Sequence, residues 1–348
     1  TEHGVQNEYV DDYLQYKGNQ TCIGYYGGYI DAAVPDHEIT SLDLIDRDKC
    51  KAIHPSFHQT TAMFGKENVT KTGRLSSSNP NLQNVADPSK NKGYFVPDAR
   101  AYFGPRRGYI LLFIDFSQLE LRLFAEKLGS QNSWYQDFLS GRADPHDVTR
   151  QSVPFLVTKD PKIGRKLAKN TNFSIVNCGG PNVLHKKYGI PLSEGKTIIS
   201  ELKEAQPEMV IFQKEAERYA IKNGYISTIF GRKPNIDLTR DIITGRYLKA
   251  YQAGSYFIQG SAADIIKRAM IVTAKHLREI EINAHLVCSI HDELIFEIWQ
   301  NDYNTWLVKQ LMMLMESVAC DVMKLPLQCT AAITEKSWSH KDVEELEL

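Results

Sequence analysis

Two aspartates lie where apolar strands are predicted to end. Asp115 follows the apolar run from Tyr109 to Ile114, and Asp292 interrupts the apolar segment LVCSIHDELIFEI, residues 286–298. Carboxylates at the ends of adjacent strands can hold two Mg²⁺ ions roughly 3.5–4 Å apart, a geometry that stabilises the attacking and leaving oxygens of phosphoryl transfer. The pair therefore predicts a two-metal site. A solvated acidic turn is the alternative interpretation of the second aspartate.

The break in this apolar segment has an unusual sequence for a hairpin turn. The flanking residues are β-branched or apolar and predict two short strands, so His291 and Asp292 would form the turn between them. Tight hairpins favour Asn-Gly or Asp-Gly, because their turn residues adopt positive φ, and His-Asp meets that requirement poorly. The turn residues therefore indicate a chemical role for the carboxylate at the hairpin tip.

A predicted helix carries groups suited to phosphate binding. Asp160 and Pro161 form a typical helix start, and Arg165, Lys169 and Phe173 follow at intervals of four. The stripe from the first cation to the ring is roughly 12 Å long at 1.5 Å rise per residue, which matches a nucleoside triphosphate laid along the helix. The cations lie nearer the positive helix end and would bind the phosphates. The alternative is a solvated basic face with one core aromatic residue.

Composition indicates an ordinary globular chain. Of its 348 residues, 42% are apolar and 24% charged, which allows one large or two ordinary domains. Lys and Arg (41) balance Asp and Glu (42), so the net charge of −1 gives no support for nucleic-acid binding. Six cysteines without CxxC or metal-finger spacing argue against a zinc site or a disulfide framework and fit a reducing, intracellular setting. No apolar stretch approaches the roughly 20 residues of a membrane span.

Helical and strand patterns are segregated along the chain. Because no βαβ alternation appears, the fold class is predicted to be α+β. The predicted elements are a polar loop at 66–93, a strand at 109–116, a helix ending at Gly129, a mostly helical region at 134–245, a long helix at 256–278, the hairpin, and a last helix near 303–323.

These motifs together resemble family A DNA polymerases. DFSQLELR (115–122), the Arg165, Lys169 and Phe173 stripe, and IHDE (290–293) resemble, in order, the three polymerase motifs of that family. TGRLSSSNPNLQN (72–84) resembles its template-primer loop, and IQGSAADIIKRAM (258–270) resembles its palm helix. The likeness covers about residues 50–348, and five ordered motifs make chance a poor explanation.

The resemblance implies a right-hand polymerase fold, with an antiparallel palm sheet, mostly helical fingers and a thumb that is largely missing. The implied divisions are a thumb remnant and connection at 1–50, palm at 51–133, fingers at 134–245 and palm again at 246–348. The implied activity is template-directed addition of deoxynucleotides to a primer 3′ end, with primer-template DNA and deoxynucleoside triphosphates as partners.

Site roles also follow from the resemblance. Asp115 and Asp292 would bind two Mg²⁺ ions, for which Mn²⁺ can substitute. Lys169 would protonate the leaving pyrophosphate, and Glu293 would complete the catalytic group beside the primer terminus. The incoming nucleotide would contact Arg165, Lys169, Phe173, Glu120 as the steric gate for the sugar, His146 and Asn177. The primer-template duplex would contact Arg74, Gln83, Gln259 and His291.

The chain departs from the family pattern at two positions. Asn177 and Cys178 stand where the family usually has Tyr-Gly, and Tyr251 stands where it often has Arg. The first departure affects the residue that supports the steric gate, so sugar discrimination and fidelity are expected to change, whereas catalysis is expected to persist.

No segment resembles a proofreading exonuclease, and the sequence begins at Thr1. We therefore expect no exonuclease activity from this chain, and either a separate chain that supplies thumb and exonuclease or an upstream part of the same gene that encodes them. No membrane partner is expected, and the cytoplasm of a bacterial or phage-infected cell is the expected location.

Two other functions compete with this interpretation. A single-subunit RNA polymerase shares the palm and similar Asp, Lys and Asp elements, but GRLSSSNPNLQN and Glu120 favour deoxynucleotides. A catalytically idle nucleic-acid-binding subunit of a replisome is the second alternative. Retention of every acid and phosphate ligand argues against it, because a binding scaffold has no use for Asp292 at a hairpin tip.

Overall fold

The computed structural model describes Tyr29 and residues 34–35, 51–59, 70–85, 98–142 and 144–348. The predicted thumb remnant at 1–50 therefore lies outside the described residues, except for Tyr29 and a two-residue strand. Much of the predicted loop at 66–93 also lies outside them.

A five-stranded antiparallel sheet forms the centre of the molecule, in the order β6-β7-β5-β8-β9. Two further two-stranded sheets pair β1 with β2 and β3 with β4. The strands are β1 (Val34–Pro35), β2 (Lys51–Ala52), β3 (Ser56–His58), β4 (Ser76–Ser78), β5 (Tyr109–Phe116), β6 (Ala284–Ile290), β7 (Glu293–Trp299), β8 (Cys329–Thr334) and β9 (Glu344–Glu345).

The central strand β5 is apolar from Ile110 to Ile114 because both of its faces are covered there. Leu112 and Ile114 point into the larger core, while Leu111 and Phe113 join a smaller cluster that includes Trp338. A strand buried on both faces reads as a continuous apolar run instead of an alternating one. The strand predicted from the sequence is therefore present, and it lies in the middle of the sheet with β7 and β8 as neighbours.

Most of the remaining chain is helical, which confirms the α+β prediction. The helices are α1 (Leu119–Leu128), α2 (Ser133–Leu139), α3 (Pro145–Ser152), α4 (Pro154–Val157), α5 (Pro161–Val176), α6 (Pro181–Tyr188), α7 (Leu192–Ala205), α8 (Pro207–Asn223), α9 (Ala253–Glu279) and α10 (Thr305–Ser317).

Some predicted boundaries were wrong. The helical region ends at Asn223, because Gly224 adopts a φ of 82° and terminates α8, and residues 224–249 contain turns and two isolated β-bridges. The long helix α9 extends a little further at both ends than predicted. The last helix is shorter than predicted at both ends: Asn304 caps its start by accepting from the Leu307 amide, and α10 gives way to turns after Ser317.

The described part of the predicted polar loop is structured. Strand β4 pairs with β3, and the Asn81 side chain accepts from the Gln83 amide at the start of a 3₁₀ turn, Leu82–Asn84. Short-range capping by Asn is the kind of local order that a polar, breaker-rich sequence can encode. Residues 70–85 therefore form a fixed surface beside the sheet.

Helix α5 begins as its sequence predicts. The Asp160 carboxylate accepts from the amides of Lys162 and Ile163 at 3.0 and 3.3 Å, and Pro161 occupies the first helical position. Ala168 and Ile175 are buried on the inner face, so Lys169 is left on the exposed face. The cation stripe thus faces away from the core that anchors the helix.

Candidate active site

The two aspartates come together through the register of the sheet. Asp115 is the register partner of Glu293 on the neighbouring strand, and Asp292 immediately precedes that strand. The backbone amide of Phe116 donates to the carbonyl of Asp292 at 3.1 Å, which ties the two acid-bearing segments together. Asp115 and Asp292 therefore lie near each other, as predicted, where β5 ends and β7 begins. We call this end of the strands the sheet edge.

The hairpin turn at this edge contains two residues. His291 adopts a φ of 53°, the left-handed conformation that is uncommon for residues other than glycine. The turn therefore does take the positive φ that such hairpins require, from a residue that does not favour it. His291 is exposed at the tip, and Asp292 is half-buried behind it.

A buried arginine fixes the segment that follows Asp115. The Arg122 guanidinium donates to the carbonyls of Ser117 and Pro326 at 3.0 and 2.9 Å and also pairs with Gln328. The Ser117 amide donates to the carbonyl of Gln328 at 2.8 Å. These bonds connect the start of α1 to the chain that enters β8, so Asp115 is held between two fixed strands.

The electrostatic environment at this edge is strongly negative. Burial raises the pKa of Asp292 to about 7, the negative charges of Glu120 and Asp115 add to the rise, and Arg74 opposes it. A site that gathers carboxylates in this way favours a bound cation.

The donor set fits Mg²⁺. This ion binds proteins through one or two carboxylates and keeps several ligands from water or phosphate. Within the described part of the chain, no cluster of three or more His, Cys, Asp or Glu side chains could hold a metal ion. Two carboxylates alone are a donor set that Mg²⁺ accepts, and the remaining ligands would come from water or phosphate.

The cation stripe on α5 has a partner that the sequence reasoning missed. Arg165 is half-exposed, and its guanidinium donates to both carboxylate oxygens of Asp144 at 3.0 and 3.2 Å. Burial acts to raise the pKa of Asp144, but hydrogen bonds from Arg165 and the Asp147 amide outweigh it and lower that pKa. Asp144 precedes Pro145 as Asp160 precedes Pro161, so the sequence did signal a helix cap there.

His146 and Phe173 lie side by side, with ring centroids 5.8 Å apart. His146 is buried, and the Asn172 side-chain amide donates to its Nδ1 at 3.0 Å, which leaves Nε2 as the protonated nitrogen. Burial lowers the pKa of His146 to about 4, and Arg165 and Lys169 lower it further against the opposing effect of Asp144. The imidazole is therefore neutral near pH 7 and offers one N–H donor.

The predicted steric gate is held by an ion pair. Arg74 donates to the Glu120 carboxylate, which is largely shielded from solvent. Both residues line a cavity of about 400 Å³ beside α5. Other residues that line this cavity are Phe173, Asn177, Tyr188 and Gln259.

Asn177 and Gln259 are bonded to each other within this cavity. The Gln259 side-chain amide donates to Asn177 Oδ1 at 2.5 Å and to Ser255 Oγ at 3.2 Å. Asn177 in turn donates to the carbonyl of Phe173 at 2.9 Å. A residue predicted to contact the nucleotide and one predicted to contact the duplex thus share one hydrogen-bond network, and Ser255 was missing from the sequence prediction.

A second cavity, of about 250 Å³, lies between the 70–85 segment and the hairpin. Arg74, Gln83, His291 and Asp292 all line it, and Gln83 donates to the carbonyl of Ser289 at 3.2 Å. Arg74 is common to both cavities. The residues predicted to contact the duplex are therefore brought together, with Gln259 as the exception in the neighbouring cavity.

Tyr251, the second departure noted above, is about half exposed.

The sequence matches a known protein family over most of its length. The model of DNA polymerase family A matches residues 12–340. The chain is 31% identical over 299 residues to DNA polymerase I of Helicobacter pylori strain J99, which covers 84% of this chain and 30% of that protein. It is 33% identical over 254 residues to DNA polymerase I of Bacillus subtilis, which covers 71% of this chain and 28% of that protein.

The fold also matches a solved structure. The polymerase domain of Pol1 from M. smegmatis, in complex with DNA primer-template and dNTP, superimposes with a TM-score of 0.74 at 23% identity, covering 93% of this chain and 52% of that one. The chain spans less than a third of the length of the two curated relatives named above. Among the residues that the structure describes, no helix is both long and apolar enough to cross a membrane.

Proposed function

We propose, on the premise that the chain belongs to DNA polymerase family A, that it adds deoxynucleotides to the 3′ end of a DNA primer on a template. The observation that carries this proposal is the convergence of Asp115 and Asp292 at one sheet edge, beside cavities lined by Arg74, Phe173 and Gln83. Such an arrangement suits phosphoryl transfer, in which positioning and charge stabilisation do most of the catalytic work.

Asp115 and Asp292 would hold two Mg²⁺ ions, which Mn²⁺ can replace. When bound, the metal supplies activation of the primer hydroxyl and neutralisation of the phosphates. Asp292, with its raised pKa, would be held ionised by a bound cation, so the charge needed for catalysis arises on loading. Glu293 and His291 would flank the primer terminus on the same hairpin.

The exposed face of α5 would receive the triphosphate. Arg165 would exchange its bonds to Asp144 for bonds to the outer phosphates, and Lys169 would neutralise them and protonate the leaving pyrophosphate. Phe173 would pack on the sugar. His146, neutral and protonated on Nε2, would donate to the bound nucleotide.

Selection of the sugar would depend on Glu120. Its carboxylate is fixed by Arg74, which also lines the cavity beside the hairpin, so the gate and the duplex contact are linked. Asn177 would contribute to the nucleotide site through Gln259, in place of the larger tyrosine of the family pattern. The wide cavity beside it supports weaker exclusion of ribonucleotides than the family pattern implies.

The wider proposals follow the same resemblance. Palm would comprise 51–133 and 246–348, with fingers at 134–245. Primer-template DNA and deoxynucleoside triphosphates are the proposed partners, and a separate chain carrying thumb and exonuclease is the proposed source of proofreading. The proposed location is the cytoplasm of a bacterial or phage-infected cell.

A primer-extension assay tests the function directly. A labelled primer annealed to a DNA template is incubated with Mg²⁺ and either deoxynucleotides or ribonucleotides, and a parallel reaction contains Mn²⁺. We expect extension mainly with deoxynucleotides. Preferred use of ribonucleotides would support the RNA polymerase alternative, and binding of primer-template without extension would support the idle subunit.

A further inference from the structure

The segment between α8 and α9 contains a tight turn that docks on α9. The Thr228 amide donates to the carbonyl of Arg232 at 2.8 Å, and Gly231 closes the turn with a φ of 85°. The Ile229 amide donates to Ser261 Oγ at 3.0 Å, which attaches the turn to the helix. The side chain of Arg232 therefore projects from a turn whose position is fixed.

The Arg232 guanidinium joins this turn to two other segments. Its Nε donates to Asp264 at 2.6 Å, and its Nη2 donates to the carbonyls of Thr72 and Gly260 at 2.7 and 2.9 Å. The other oxygen of Asp264 accepts from the Thr228 hydroxyl at 2.7 Å. One side chain thus bonds α9 to the residues that directly precede Arg74.

The approach of this guanidinium requires glycine at position 73. Gly73 has a φ of 82°, and a Cβ added there would lie 2.6 Å from Arg232 Nη1. The Gly73 amide donates to the carbonyl of Thr70 at 3.0 Å, and the Thr70 hydroxyl donates to the carbonyl of Arg74 at 2.5 Å. Residues 70–74 therefore form a compact turn, and Arg232 fixes it from the side of α9.

We propose that Arg232 is a positioning residue that holds this turn against α9 and thereby sets Arg74 opposite Glu120. Arg232 acts through the carbonyl of Thr72, two residues before the arginine that lines both cavities. Lysine cannot replace it, because an ammonium lacks the planar fork that reaches a carboxylate and two carbonyls at once. The functional part of this proposal rests on the proposed polymerase activity.

We call the bonds from Arg232 to Thr72, Gly260 and Asp264 the clamp. Hydrogen exchange tests the clamp without reference to activity. The amides of residues 70–78 are measured in the wild type, Arg232→Lys, Arg232→Ala and the control Arg240→Ala. Arg240 is an exposed arginine of the same inter-helix segment that stacks on Tyr247. We expect roughly tenfold faster exchange in both Arg232 variants, because charged hydrogen bonds are lost. The exchange rate of the control should equal that of the wild type. Unchanged exchange in folded Arg232→Lys would overturn the proposal.

A double-mutant cycle tests the link to Arg74. Primer-template affinity is measured by fluorescence anisotropy for Arg232→Lys, Arg74→Ala and the double variant. We expect Arg232→Lys to weaken binding by roughly fivefold to tenfold alone but by less than about twofold when Arg74 is already alanine, because coupled residues are not additive. Equal effects in both backgrounds would overturn the proposed route through Arg74.

The same variants separate the two proposals. If the wild type binds and extends primers but the cycle is additive, the proposed route through Arg74 is wrong and the polymerase assignment stands. If the wild type extends no primer while exchange at residues 70–78 still responds to Arg232→Lys, the clamp stands and the polymerase assignment fails.

Discussion

The sheet edge that carries Asp115 and Asp292 and the face of α5 that carries Arg165 and Lys169 hold their charges in different ways. At the sheet edge, short side chains are fixed by strand register and by a two-residue turn. On the helix, long side chains lie on the exposed face. Short carboxylates on paired strands fix the position of a charge, whereas long cations can follow a ligand that arrives and leaves.

The two regions also differ in their charge balance. At the sheet edge, burial together with the negative charges of Glu120 and Asp115 raises the pKa of Asp292 to about 7. On the helix, Arg165 already has a counter-ion in Asp144. A cation would therefore relieve repulsion at the first region, whereas an anionic ligand must displace a carboxylate at the second.

The largest expected effect comes from the sheet edge. Asp115→Asn or Asp292→Asn should lower the rate of nucleotide addition by roughly a thousandfold or more, because each removes charge that the metal needs and several kcal/mol of transition-state stabilisation depend on it. Single-turnover incorporation measures the effect. Glu345→Gln, an exposed acid on β9 of the same sheet, is the matched control. Substantial residual synthesis in either aspartate variant would contradict the two-metal assignment.

The next effect comes from the helix. Lys169→Ala should slow the chemical step by roughly a hundredfold, since general acid catalysis contributes at least that much. Lys166→Ala removes another exposed lysine of α5 that lies off the stripe and should change the rate little. Rapid-quench kinetics at saturating nucleotide compares the two, and equal rates for both variants would rule out a special role for Lys169.

Acid should destabilise the wild type through His146. Its pKa is about 4 in the fold, against the usual 6.5 of a solvated histidine, so below pH 6.5 the unfolded chain binds a proton that the folded chain does not. Stability is therefore lost as pH falls from 6.5 through 4, by about 2–3 kcal/mol for this residue. Denaturant unfolding of wild type and His146→Gln over this range should show a shallower decline in the variant. Parallel curves would contradict the buried neutral imidazole.

The smallest effect concerns Asp144. Asp144→Asn keeps a residue able to cap α3 but releases Arg165, so affinity for the incoming nucleotide should rise by up to about fivefold, the scale of an exposed ion pair. The Michaelis constant for one deoxynucleotide measures this. A higher constant would mean that Asp144 positions Arg165 for the phosphates instead of competing with them.

The sequence identified features whose physical cause is local. The apolar run before Asp115 encodes a strand buried on both faces, and Asp160 with Pro161 encodes a helix start, so both elements are where they were predicted. The hairpin around His291 was also found, because apolar runs flank it.

Features that depend on distant segments were not visible in the sequence. The bond from Arg232 to Thr72 and the pairing of Arg165 with Asp144 join elements that share no sequence pattern. The network of Asn177 with Gln259 likewise follows from how α5 packs near α9. The end of the helical region at Asn223 was missed, although Gly224, Gly231 and Pro234 follow it in the sequence as helix breakers.

The position of β5 in the sheet has a consequence for the order in which the chain folds. Its partners β7 and β8 come from the last part of the sequence, so Asp115 has no strand neighbour until the chain has been made through Trp299, and it lacks the second until Thr334. Pairings between such distant segments form slowly, because closing a long loop costs conformational entropy before the strands make any stabilising contact. The helices between α1 and α8 can fold from local contacts as they emerge from the ribosome. The carboxylates of Asp115 and Asp292 would therefore come together only after most of the helices have formed.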